Sequence, residues 1–336
     1  MTKYLFVLTS SPKDFFCEQT LVAIASLRCH NPKAFVTLLT DDRTAETLTG
    51  KRAVLKEAVD ELKVLPLDEK LSPMQRSRYL KTVMRNEVDG DFLYMDSDIA
   101  VVGNLDIPEE WRGGIYAVLD FHTNLHKAIN RKKVLNAAKM LGFSPILNDE
   151  LFNGGVMFAS DTPEVRAFFK KWHELWEYSV SKNYPYDMAS LAETDFSFGY
   201  KIRKMPGEWN CQLAYGKRFL PNAKILHFFG SRIIDPCGRH VPDSMDAFLP
   251  KILRKNFYTE LKNIPVAVDS DKNIHINAYY DSVIRNAKDA FLFQTKKLGT
   301  FGADVVRSYA FARTLAFLYR KMPILVRPLE WLGKIR

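Results

Sequence analysis

A chain of 336 residues, 47% of them hydrophobic and 26% charged, has an ordinary globular balance and room for one large domain or two moderate ones. Its net charge of +9 is uneven: from Thr295 to Arg336 nine lysines and arginines face only Asp304 and Glu330, so +7 of the +9 lies in this tail. The nearly neutral body argues against a broad basic face for nucleic acid, and four scattered cysteines with no close pair argue against a thiolate zinc site or a disulfide framework.

Along the chain, short apolar runs alternate with longer amphipathic ones. The run at residues 4–8 is too short for a signal peptide core and reads as a strand ending at Thr9-Ser10. Residues 15–27 read as a helix, 34–39 as a strand ending in Asp41-Asp42, 44–62 as one long helix, and 64–65 as a short strand. A helix over 74–88 leads to a buried strand at 92–95 and then to Asp96-Ser97-Asp98. Further on, strands are expected at 115–119, 156–159 and 224–229, with helices near 127–141 and at 163–181. This order predicts an α/β fold with a mostly parallel sheet covered on both faces, ligands lying beyond the carboxyl ends of its strands. Past Pro242 the pattern turns mainly helical, which divides the chain into a catalytic domain, 1–242, and a helical extension, 243–336. No uncharged stretch nears the ~20 residues of a membrane span, so a cytoplasmic protein is expected.

Three Asp-x-Asp triplets occur, at 89–91, 96–98 and 269–271. Gly90 makes the first a turn at a helix-to-strand junction, and the third runs into Lys272-Asn273 as an exposed turn. Only the second has apolar chain on both sides, where two carboxylates are costly unless paired or bound to a cation. The pattern alone fits a cation site or a capping turn. Among the seven histidines, His122, His126 and His173 fall on expected helices, whereas His227 ends a strand three residues before a glycine.

The segment from Phe92 to Ile99 resembles the strand-DxD-strand of family-8 glycosyltransferases of the GT-A, Rossmann-like type. Phe152-Asn153-Gly154-Gly155-Val156-Met157, the loop from Pro206 to Trp209-Asn210, and Leu226-His227-Phe228-Phe229-Gly230 resemble further motifs of that family in the same order, within about residues 1–232. The resemblance implies a UDP-sugar donor, glucose or galactose, transferred with retention to a glycan or lipid-linked acceptor. It implies Asp96, Asp98 and His227 as ligands of Mn²⁺ (Mg²⁺ being an alternative), a hard cation that offsets charge on a departing diphosphate. Arg78, Lys81, Ser97, Gly154, Gly155 and Gly230 then face the donor, Thr9, Ser10 and Asp41 lie at its nucleoside end, and Arg232 stands where the family has a cationic diphosphate clamp. Asp120 and Asn153 are expected to read sugar hydroxyls, and Asp195 falls roughly where the family has an acidic-Gln pair, with Phe196 in place of the Gln.

The tail from 301 to 320 is amphipathic at helical spacing and carries cations opposite its apolar face. Such a segment fits an anionic membrane surface, which would put the protein on the inner face of a membrane; packing against the catalytic domain is the alternative. Two other functions compete: a nucleotidyltransferase that makes sugar nucleotides, disfavoured because residues 9–13 lack the usual glycine-rich loop, and a non-catalytic sugar-nucleotide-binding protein.

Overall fold

The computed structural model describes residues 2–229 except 129, 145–147 and 217, and residues 251–297 except 254. Strand β1 (Lys3–Leu8) leads into α1 (Phe16–His30), β2 (Phe35–Asp41), α2 (Asp42–Thr47), α3 (Val54–Ala58), β3 (Glu61–Leu65) and α4 (Pro73–Glu87). Next come β4 (Phe92–Met95), β5 (Ile99–Val101), β6 (Ile115–Leu119), α5 (Arg131–Leu141), β7 (Phe152–Ala159), α6 (Pro163–Ser181), α7 (Met188–Ser197) and β8 (Ile202–Lys204). The short strands β9 (Cys211–Gln212) and β10 (Ile225–His227) precede α8 (Lys255–Leu261), the hairpin β11 (Ala267–Val268) and β12 (Ile274–His275), α9 (Ala278–Arg285) and α10 (Ala287–Lys297).

Seven strands form the central sheet in the order β3-β2-β1-β4-β7-β6-β8. β1, β2, β3 and β4 run parallel, β7 is antiparallel to both neighbours, and β6 and β8 are again parallel. This is the α/β, mostly parallel, Rossmann-like architecture expected from the alternation. A second sheet, β5-β10-β9, stands beside it.

Helix α1 is buried along most of its length, from Cys17 to Arg28, so its sequence lacks a polar face. Its two buried charges are paired, Glu18 with Arg52 at 2.8 Å and Arg28 with Asp60 at 2.9 Å. The single helix expected over 44–62 is instead broken. Gly50, at φ +55, interrupts it, and residues 61–65 turn extended because the edge of β2 offers a row of backbone partners. The described part of the extension packs on the α/β core: Phe257, Leu261, Tyr280 and Ile284 share one apolar cluster with Val22 and Ile24 of α1. Phe291 stacks on Phe228, with ring centroids 5.8 Å apart. Among the described residues Cys17, Cys29 and Cys211 are free thiols, and no helix is long and apolar enough to cross a membrane.

Candidate functional site

The site is assembled by strand pairing. Met95 of β4 lies opposite Val156 of β7, and one step further the Asp96 N–H donates to the Gly155 carbonyl at 2.7 Å. In the second sheet His227 pairs with Ile99, and the Phe228 N–H donates to the Asp98 carbonyl at 3.0 Å. The two ladders therefore bring Asp96, Asp98 and His227 together, with ligand atoms of all three within 4.8 Å of one another. His227 Nε2 lies 3.4 Å from Asp98 Oδ1 and 3.9 Å from Asp96 Oδ2. The imidazole is 2% exposed and stacks against Phe229, centroids 4.3 Å apart. Burial pulls the pKa of His227 down, but Asp98 and Asp96 outweigh it and hold it above the ordinary imidazole value. Gly155 has no room for a side chain: a Cβ there would collide with the His227 ring and stand 2.8 Å from Asp96 Oδ2. Two oxygens and one imidazole nitrogen, converging over a glycine, could hold a metal ion.

On one side of this cluster stands a band of charge from α4. Lys81 Nζ, on a side chain only 5% exposed, lies 3.3 Å from Asp96 Oδ1 and 3.4 Å from Asp187 Oδ2. Arg78, one turn earlier, places Nε 3.1 Å from Asp187 Oδ1. Burial opposes ionisation of Asp187, but Arg78 and Lys81 prevail and hold its carboxyl below the usual carboxylate range. The Tyr94 hydroxyl donates to Asp96 Oδ1. Asp187 escaped the sequence reading because an acid directly before a helix looks like a cap; its side chain makes no cap hydrogen bond. The cations on α4, three residues apart, were the available hint of a buried carboxylate facing them.

Asp120 and Asn153 meet on the other side, where Asn153 Nδ2 donates to Asp120 Oδ1 at 2.9 Å. Burial raises the Asp120 carboxyl to about 6. The turn that follows puts Phe121 and His122 in the left-handed region, at φ 60 and 53. Buried Gln212 holds it, accepting from the Phe121 N–H at 3.0 Å and donating to the Leu119 carbonyl at 2.9 Å. Asp195 does not join this group. Its Oδ1 accepts from the Ile202 N–H at 2.8 Å, tying the end of α7 to β8, and burial raises it to about 6.

At the carboxyl ends of β1 and β2, Ser10 donates to Asp14 at 2.7 Å, and Asp41 Oδ1 accepts from the Thr44 N–H and from Arg76, at 2.7 and 2.6 Å. Thr9 Oγ1, Asp41 Oδ2, Asp42 Oδ1 and Arg76 Nε are buried there without a hydrogen-bond partner. Ser97 is tethered to α1 by the Thr20 hydroxyl at 2.8 Å, and Gly154 lies against Lys81. The three histidines on the expected helices are engaged elsewhere: His122 with the Gln212 N–H, His126 with Asp149, and His173 with Thr82. Gly230, Arg232 and nearly all of the basic tail lie outside the described residues.

No protein-family model matches the chain, and no curated protein sequence does either. Among solved structures it is similar to the bifunctional glycosyltransferase WbbM, at 16% identity and a TM-score of 0.47, over 68% of this chain and 46% of that one. It is also similar to the glycosyltransferase GlyE of Streptococcus pneumoniae TIGR4, at 18% identity and a TM-score of 0.44, over 68% of this chain and 55% of that one. The galactosyltransferase LgtC, solved with donor and acceptor sugar analogs, is 13% identical with a TM-score of 0.47, over 80% of this chain and 98% of that one. The chain thus spans about half the length of the first two.

Proposed function

We propose that the protein is a metal-dependent glycosyltransferase of the family-8 kind, moving glucose or galactose from a UDP-sugar to a glycan or lipid-linked acceptor with retention. The observation that carries this reading is the convergence of Asp96, Asp98 and His227 over Gly155. These three residues would hold the cation, which when bound offsets the charge that grows on the departing diphosphate. Lys81 and Arg78 add fixed positive charge beside it, and Asp187 keeps both side chains extended toward the site. Asp120 and Asn153, joined to each other, present acceptors and donors for sugar hydroxyls. The unpartnered group around Thr9 and Asp41 takes the nucleoside end. Arg232 would serve as the diphosphate clamp that the family resemblance implies.

The test is release of UDP from UDP-glucose or UDP-galactose by the native chain, with and without Mn²⁺ or Mg²⁺. Release should need the cation and vanish in Asp96→Asn. Release that ignores the cation sinks the metal reading, and UDP-sugar binding without release favours the non-catalytic alternative. The charge of the tail supports attachment to an anionic membrane on the cytoplasmic side, where each cation near the surface contributes about 1 kcal/mol. The full chain should then sediment with anionic vesicles and be released by high salt; a chain that ignores vesicles ends this part of the proposal.

A further inference from the structure

In the sequence the Pro206–Asn210 loop is only a motif, with no task for Asn210. In the structure Asn210 is fully buried between Asn153 and His227. The atoms it presents follow from donors that cannot be reversed. The backbone N–H of Gly155 can only donate, and it points at Asn153 from 2.9 Å, so Asn153 turns its carbonyl oxygen there. The same oxygen is 3.0 Å from the Asn210 amide, which must therefore present its NH₂. Asn210 is then left with its oxygen toward His227 Nδ1, 2.9 Å away, and an oxygen there requires a proton on Nδ1. At the far end Asn153 donates its own NH₂ to Asp120, which agrees with the same polarity.

We propose that Asn210 is a positioning residue: it holds the Nδ1 proton of His227, so that Nε2 is the nitrogen available to a cation between Asp96 and Asp98. The ring is fixed in orientation by this bond and by the stacked Phe229. Without Asn210 the neutral imidazole can carry its proton on Nε2, where it donates to Asp98 at 3.4 Å and competes with a metal ion. A hydrogen-bonded second ring nitrogen is the usual support of a metal-binding histidine, worth roughly 10–100-fold in affinity. The inference rests on the metal reading proposed above.

Two measurements test it without recourse to turnover. In the metal-free native protein at alkaline pH, long-range ¹H–¹⁵N spectra should show the His227 proton on Nδ1; a proton on Nε2 overturns the proposal even if no variant folds. By calorimetry, Asn210→Ala should weaken Mn²⁺ binding by roughly 10–100-fold. The loss should disappear when His227→Ala is already present, because Asn210 acts through that ring. Native affinity in Asn210→Ala, or an equal loss in the His227→Ala background, refutes the positioning role while leaving the metal site standing. A native chain that binds no Mn²⁺ refutes the metal site itself, and the inference with it.

Discussion

The triplets Asp96-Ser97-Asp98 and Asp269-Ser270-Asp271 are identical in sequence, and each has a histidine within reach of a carboxylate. In the second, everything is local. Asp269 sits in the turn between β11 and β12 and accepts from His275, from the Asn273 amide, and from the backbone N–H groups of Asp271 and Asn273. Those donors, His275 first, hold its carboxyl well below the usual range, and its acceptors are used in stabilising the turn. In the first, the flanking strands enter two different sheets, and the histidine arrives from a strand more than a hundred residues later. A carboxylate pair becomes a candidate cation site when distant elements close over it. The triplet at 89–91 makes the same point from the other side: Gly90 takes a turn at φ +80, and Asp91 accepts from the Asp161 N–H at 2.8 Å.

The contrast between the two Asp-Ser-Asp turns breaks or sharpens in measurable ways. The largest effect should come from Asp98→Ala, which removes a proposed ligand and should cost Mn²⁺-dependent UDP affinity more than the roughly 100-fold typical of an outer partner. Calorimetry on the variant, with its fold checked by circular dichroism, decides this; unchanged affinity would erase the distinction between the two turns. Next, Asn153→Ala should lower kcat/KM for the UDP-sugar by a few kcal/mol, about 100-fold, while weakening UDP binding less. Equal losses for UDP and UDP-sugar would assign Asn153 to the nucleotide.

A smaller, pH-dependent effect belongs to Asp120, buried where Asp269 is open to solvent. Burial lifts its folded-state pKa from 3.8 to about 6, so the folded protein holds this proton more tightly than the unfolded chain. Its contribution to stability is therefore fully present below pH 3.8 and lost as pH rises through about 6. Function runs the other way, because the ionised carboxylate that accepts from Asn153 exists above about 6. Turnover should fall as pH drops through about 6, and Asp120→Asn should flatten that limb while lowering the plateau. A limb unchanged in Asp120→Asn would assign the titration to another group. The smallest effect is expected of Asp271→Ala, within about 0.5 kcal/mol in thermal stability and with native Mn²⁺ and UDP binding. A loss of metal binding there would show that the exposed turn, too, is a cation site.

Local patterning was enough to mark the strands carrying the site and to single out 96–98, because apolar alternation and turn chemistry act within a few residues. The resemblance to family-8 enzymes, not the patterning, placed Asn153 and Gly155 at the donor and His227 at the cation, and it gave Gly155 no contact with the other two. Tertiary structure supplied that contact: β7 lies antiparallel to β4, so the glycine falls under His227 and beside Asp96, where any Cβ collides. It also divided the stretch expected as one helix over 44–62, since the open edge of β2 draws 61–62 into the strand expected only at 64–65. It set Asp195 on the backbone of Ile202 and Asp187 between Arg78 and Lys81, a choice between two acids that depends on how α6 packs against both α4 and α7. Asn210 belongs to the same class. Its partners, Asn153 and His227, lie 57 and 17 residues away in sequence, and only the pairing of strands from different parts of the chain fixes which amide atom meets which.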